Sequence, residues 1–220
     1  MNQIKAIETF YKGYHFRSRL EARWAVFFDT LGISWKYEVE GYEKEVGSTT
    51  VTGEEITELV RYLPDFFLPN RWGGGGVYVE VKGDKNALKN NWFDHAQMHD
   101  WGGILPNFSD SRGKNDAGLL LLSDIPEASE SKIYFHPILQ HDQGLVKSYA
   151  FFAGNRLSVV EDSPLAQLLT IDPIYGLDSS EQNWDIDIRQ VHTYRHYPNV
   201  VKAYAAARAA RFEHGQQGTR

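Results

Sequence analysis

The chain has 220 residues, 42% of them hydrophobic and 14% aromatic, enough to bury well over half of its unfolded surface within one domain. It contains no cysteine, which excludes disulfides and thiolate zinc sites. A net charge of −6 excludes the uniformly basic surface usual in nucleic-acid binders, but the charge is uneven. Residues 1–37 carry six Lys/Arg against three acids, residues 189–220 carry six against one, and the stretch between them is strongly acidic. Basic ends around an acidic centre suit a phosphate-gripping rim about a carboxylate site, and ordinary surface variation gives the same pattern.

The opening MNQIKAIETFYKGYHF lacks the basic-then-apolar order of a secretory signal. The longest apolar run, AGLLLL, falls far short of the ~18 residues that cross a bilayer and suits a buried strand. The expectation is a soluble, cytoplasmic protein with no membrane partner. From Ser18, Leu20, Trp24, Phe27, Phe28 and Leu31 recur at helical steps, and Gly32 supplies the stop. Ile33 to Glu40 alternates as a half-buried strand, with Trp35, Tyr37 and Val39 on one face and Lys36, Glu38 and Glu40 facing solvent. EVGSTTVTGEE reads as a loop or loose hairpin. Glu58–Leu68 and Val77–Lys82 read as two further strands, with Gly73–Gly76 turning the chain between them.

Asn86 to about Trp101 is expected to be helical, ended by Gly102-Gly103, and Gly118–Ser123 is a short strand buried on both faces. Lys132–Leu139, Val146–Phe152 and Leu157–Val160 suggest an antiparallel extension, while 161–197 show no regular pattern. Pro198 opens a final alanine-rich helix, VVKAYAAARAARFEHG, closed by Gly215 and packed on the body. The expected fold is α/β with a mixed sheet. A core over 1–123 is followed by a β-rich extension over 124–197 and the C-terminal helix and tail over 198–220.

The charged residues in the expected sheet raise the functional question. Tyr78, Glu80 and Lys82 share one face of their strand, with Glu80 and Lys82 roughly 7 Å apart along it. Such a pair either stays wet on an open sheet face or belongs to a site. Asp65, flanked by Leu63, Phe66 and Phe67, returns beside Glu80 if the two strands form a hairpin. Adjacent carboxylates repel unless a cation lies between them or one is protonated, and oxygen-rich sites of this kind suit Mg²⁺ or Mn²⁺. Glu21 has two readings as well. Ser18-x-x-Glu21 is a capping box, and Glu21 also shares a helix face with Trp24 and Phe28, which tilts it towards the sheet.

Glu21, then Pro64-Asp65, then Glu80-Val81-Lys82, on helix, strand and strand, resembles the PD-(D/E)XK nuclease superfamily. Its shared core is αβββαβ, a restriction-endonuclease-like layout. FRSRLEARWAVFFDTLGI is similar to the first helix of TnsA-type transposon endonucleases and of small phage- and prophage-encoded nucleases, and the final KAYAAARAARFEHG also resembles phage-encoded members. Gln97-Met-His-Asp-Trp101 is similar to the QxxxY motif of the RecB-type branch, with Trp in place of Tyr. The resemblance implies a metal-dependent nuclease acting on DNA in the cytoplasm, that of the host if the chain is phage-encoded. It implies Asp65, Glu80 and the Val81 carbonyl as ligands of Mg²⁺ or Mn²⁺, and Glu21 as holder of a second metal or a metal-bound water. Lys82 would orient the attacking water or stabilise charge, and Tyr62 and Gln97 would position substrate. Arg17, Arg19 and Arg23 either contact phosphates beside the site or balance nearby acids. Cutting both strands favours a homodimer or an accessory partner.

Other patterns carry less. His95/His99 and His192/His196 have zinc-compatible spacing without the HExxH glutamate, which favours a structural or surface role. Gly73–Gly76 lacks the GK[ST] ending of a phosphate loop and reads as a flexible hairpin tip. Lys202, Arg208 and Arg211 form no single stripe on the last helix. A catalytically silent binding module on the same fold is the competing expectation.

Overall fold

Ser18 starts the first helix as its chemistry requires. Its backbone is extended, and its hydroxyl accepts the Glu21 N–H at 3.2 Å, satisfying one donor that the helix itself leaves open. The helix, α1, runs Arg19–Leu31 and ends on Gly32 at φ 66°, with Ile33 N–H donating back to the Phe28 carbonyl at 2.8 Å. A computed structural model describes residues 6–49, 51–72, 75–83, 118–128, 132–141, 145–160, 176–178 and 198–212 of the chain.

Before α1 lies a small hairpin that the sequence pattern does not announce: β1 (Thr9–Tyr11) and β2 (Tyr14–Phe16), turned by Lys12 and Gly13, both at positive φ. After α1 come β3 (Lys36–Tyr37), β4 (Tyr42–Thr49), β5 (Glu55–Tyr62), β6 (Phe66–Trp72), β7 (Gly75–Val81) and β8 (Gly118–Leu122). Then follow β9 (Lys132–Tyr134), β10 (His136–His141), β11 (Leu145–Ala153), β12 (Arg156–Val160), β13 (Gly176–Asp178) and α2 (Pro198–Ala209). Seven strands form one mixed sheet in the order β12-β11-β10-β8-β7-β6-β3, in which β7 and β8 are parallel and the other pairs antiparallel. The fold is α/β, as expected, and the antiparallel extension after β8 is present. No helix among the described residues is long and apolar enough to cross a membrane.

The core lies between this sheet and α1. Trp24, Phe27 and Phe28 are fully buried with Phe66, Leu68, Val77, Val79, Leu120, Leu122 and Phe152, each large side chain contributing roughly 1.5–3 kcal/mol by leaving water. Trp24 Nε1–H donates to the Ser123 carbonyl at 2.7 Å, fastening α1 to the end of β8. On its outer side α1 receives α2, where Tyr204 stacks on Phe27 with ring centroids 4.6 Å apart and Arg208 Nη1 donates to the Ile125 carbonyl. The last helix therefore packs on the body, but it ends at Ala209; Gly215 lies outside the described residues.

Several boundaries differ from expectation. Glu58–Leu68 is not one strand, because Pro64 lacks the N–H that a ladder needs; the chain bends at Leu63-Pro64-Asp65 and splits into β5 and β6. EVGSTTVTGEE, expected as a loop or loose hairpin, belongs to the β4–β5 hairpin, whose two strands of eight residues each form a ribbon separate from the main sheet. Only Lys36–Tyr37 of the expected strand 33–40 pairs, because Glu38 at φ 43° breaks the alternation and leaves Val39 exposed. Gly75 and Gly76 lie within β7 rather than in the turn, and Gly76 sits against the ring of Phe67. Phe135 interrupts Lys132–Leu139, giving β9 and β10, and β13 pairs with β9 inside a region that reads as irregular. The expected helix 86–101, with His95, Gln97, His99 and Trp101, lies outside the described residues, as do His192 and His196.

A candidate carboxylate site

The β6–β7 register aligns Phe66 with Val79, and continuing it by one residue sets Asp65 opposite Glu80. Asp65 occupies the bend before β6, where its carbonyl accepts the Glu38 N–H at 3.0 Å and its Oδ2 accepts the Val81 N–H at 2.7 Å. Glu80 lies on the face of β7 opposite Val79. That face is not open to water: Tyr78 and Glu80 are both buried. The root of the β4–β5 ribbon covers it, with the Tyr42 and Tyr78 hydroxyls 2.6 Å apart and the Tyr62 hydroxyl donating to Glu80 Oε2 at 2.9 Å.

Two basic side chains complete the cluster. Lys82 Nζ donates to Glu80 Oε1 at 2.6 Å, and Arg17 Nη2 donates to Asp65 Oδ1 at 2.5 Å. Arg17 Nε also stands 2.7 Å from Glu38 Oε1, an ion pair rather than an aligned hydrogen bond. Glu38 is thus a partner of the site, not the solvent-facing residue its alternation suggests. Glu21 is buried as well, but its oxygens turn to the helix start. Oε1 accepts from the Ser18 hydroxyl at 2.7 Å, and Oε2 accepts from the Tyr37 hydroxyl at 2.6 Å and the Arg17 N–H at 3.1 Å. It reaches the carboxylate pair through Arg17.

The electrostatics follow from this crowding. Burial first, and the charge of Glu80 second, push the Asp65 carboxyl up to about 7, against the opposing pull of the Val81 N–H and Arg17. Burial and then the charge of Glu80 hold the Tyr62 phenol well above its ordinary value, so it stays a donor. Arg17 is moved in the other sense: burial alone would lower it, but the combined pull of Asp65, Tyr37, Glu38 and Glu21 raises it above its ordinary value. It remains a cation at any working pH.

Asp65, Glu80, Lys82, Tyr62 and Arg17 are therefore brought together at the end of β7, and Glu21 adjoins them. Arg19 and Arg23 are half-buried on α1, and among the described residues no ion pair joins either to these carboxylates. Gln97 lies outside the described residues. Sequence reasoning missed the roles of Tyr37 and Glu38. The aromatic alternation around Tyr37 was a usable signal, whereas nothing in the sequence marks the positive φ of Glu38.

The oxygens of Asp65 and Glu80, with the nearby Val81 carbonyl, are hard donors of the kind that Mg²⁺ or Mn²⁺ takes. In chemistry they fit such an ion. Among the described residues, no group of three or more Asp, Glu or His side chains is already gathered around one point. The chain's own donors explain the spacing, because Val81 N–H, Arg17, Tyr62 and Lys82 take up the four carboxylate oxygens. Comparison with protein-family models, curated proteins and solved structures finds no match to this chain.

Proposed function

We propose that this chain is a divalent-metal-dependent deoxyribonuclease of the PD-(D/E)XK type, hydrolysing phosphodiester bonds in the processing of phage or mobile-element DNA. The observation that carries the reading is the meeting of buried Asp65 and Glu80, from a bend and an adjacent strand, with part-buried Lys82 and half-exposed Arg17 in one cluster. The order α1, β3, β6, β7, β8, with β8 parallel to β7 and the β4–β5 ribbon inserted between the first two strands, is compatible with an αβββαβ core whose second helix falls outside the described residues.

In this reading Asp65, Glu80 and the Val81 carbonyl hold the cation, which when bound activates water and neutralises charge on the phosphate. The remaining work falls to the chain. Tyr62 fixes the orientation of Glu80 from the opposite side. Lys82, beside Glu80 Oε1, places an ammonium where it can hold the attacking water or the charge that grows on the phosphate oxygens. Glu21 fixes the Arg17 main chain and thereby the start of the helix against the site.

A silent binding module is the second reading. It is favoured by the self-satisfied carboxylates and by the net charge of −6, which opposes DNA binding. Incubating plasmid and single-stranded DNA with Mg²⁺, Mn²⁺ or EDTA separates the two. The nuclease reading expects metal-dependent cleavage that Lys82→Ala abolishes while the circular dichroism stays unchanged. Cleavage retained in a clean Lys82→Ala preparation refutes it.

A further inference from the structure

We infer that Arg17 is an internal counter-ion which a divalent cation displaces from Asp65, freeing its guanidinium to grip a DNA phosphate. The inference rests on the nuclease reading above and concerns how that site is opened. Of the two oxygens of Asp65, Oδ2 is held by the Val81 main chain, within the sheet, and Oδ1 by the Arg17 side chain. An incoming cation takes Oδ1 more easily, since displacing Oδ2 leaves a partly buried main-chain N–H without its acceptor. A guanidinium and a divalent ion repel one another at a shared oxygen, so one excludes the other.

Arg17 is built to move by its side chain alone. Its N–H is held at 3.1 Å by both Glu21 Oε2 and the Tyr37 hydroxyl, while its side chain is 56% exposed. Glu38, paired with Nε, offers a pivot that keeps the guanidinium beside the site after Asp65 lets go. Once released, the fork has donors free for a phosphate, which it matches better than an ammonium does. The arrangement also accounts for the capping contacts of Glu21, which keep the stem of Arg17 in place.

The experiment compares wild type, Arg17→Gln and Arg17→Lys, each with and without Asp65→Asn. Mn²⁺ affinity is read by electron paramagnetic resonance at pH 8.5, and affinity for a DNA duplex by anisotropy in the Lys82→Ala background. Arg17→Gln is expected to bind Mn²⁺ about fivefold more tightly, having lost a competing cation. It is expected to bind DNA in the presence of Mn²⁺ about tenfold more weakly, with a salt-dependence slope smaller by about one. Arg17→Lys, which keeps the charge but not the fork, should return to wild-type Mn²⁺ affinity and only part of the DNA affinity. If the wild type binds Mn²⁺ through Asp65 but Arg17→Gln binds it equally or less tightly, the displacement is overturned and the nuclease reading stands. If the wild type shows no Mn²⁺ binding that Asp65→Asn removes, the metal site itself is overturned, and the inference with it.

Discussion

Replacing Asp65 by Asn is expected to stabilise the metal-free protein while ending its affinity for divalent cations. The carboxylate is 4% exposed, and burial followed by the charge of Glu80 moves it from 3.8 to about 7. At about 1.36 kcal/mol per pKa unit, the ionised form is disfavoured by roughly 4 kcal/mol. Because the folded-state value lies above the unfolded one, this group's contribution to stability is fully present below pH 3.8 and lost as pH rises through about 7. Asn has no charge to bury, and its carbonyl oxygen can still accept from the Val81 N–H. The attraction of half-exposed Arg17 is already contained in that shift and is not subtracted again. The expected gain is therefore about 4 kcal/mol at pH 8, vanishing near pH 4. Urea unfolding in EDTA at the two pH values measures it, and added Mn²⁺ should stabilise the wild type alone. Equal stabilities at pH 8, or a difference that is the same at both pH values, would refute the reasoning.

Three further outcomes follow from the core. His136, fully buried on β10 with Nε2 3.2 Å from the Tyr204 hydroxyl, is lowered to about 3 by burial. Its stabilising contribution is complete above pH 6.5 and lost as pH falls towards 3, so His136→Gln should recover about 3 kcal/mol at pH 4 and little at pH 7.5, read by urea midpoints. Gly76→Ala should cost about 1–3 kcal/mol because its methyl group meets the Phe67 ring, and adding Phe67→Ala should make the two effects non-additive in a double-mutant cycle. Trp24→Phe removes the indole N–H that donates to the buried Ser123 carbonyl and leaves a void among Phe28, Phe152 and Tyr204; a loss of about 3 kcal/mol in thermal unfolding is expected.

The first helix was readable because chemistry marks both of its ends: a hydroxyl with a glutamate three residues on, and a glycine at left-handed φ. Glu80 and Lys82 were readable from alternation alone, since β7 is regular and its Val77 and Val79 belong to the core. Asp65 was found for a partly mistaken reason. It does lie beside Glu80, yet it stands in a proline-made bend rather than in a strand, and the bend is what lets its carboxylate reach the Val81 N–H. The β4–β5 ribbon was harder to see because it joins no layer of the body, so neither of its faces repeats a clean apolar period. The closed state of the carboxylates was not legible. It depends on how far Arg17 and Lys82 reach, and on a left-handed Glu38 that no residue preference foretells.

The parallel pairing of β7 with β8 has a consequence for how the protein comes into being. Glu80 aligns with Leu121, a residue that leaves the ribosome well after the β6–β7 hairpin has emerged. Until that later segment docks, β7 is the rim of a nascent sheet, with the main-chain groups of one edge unpaired. Pairing on that side is completed only when Gly118–Leu122 brings its apolar gain in the same step.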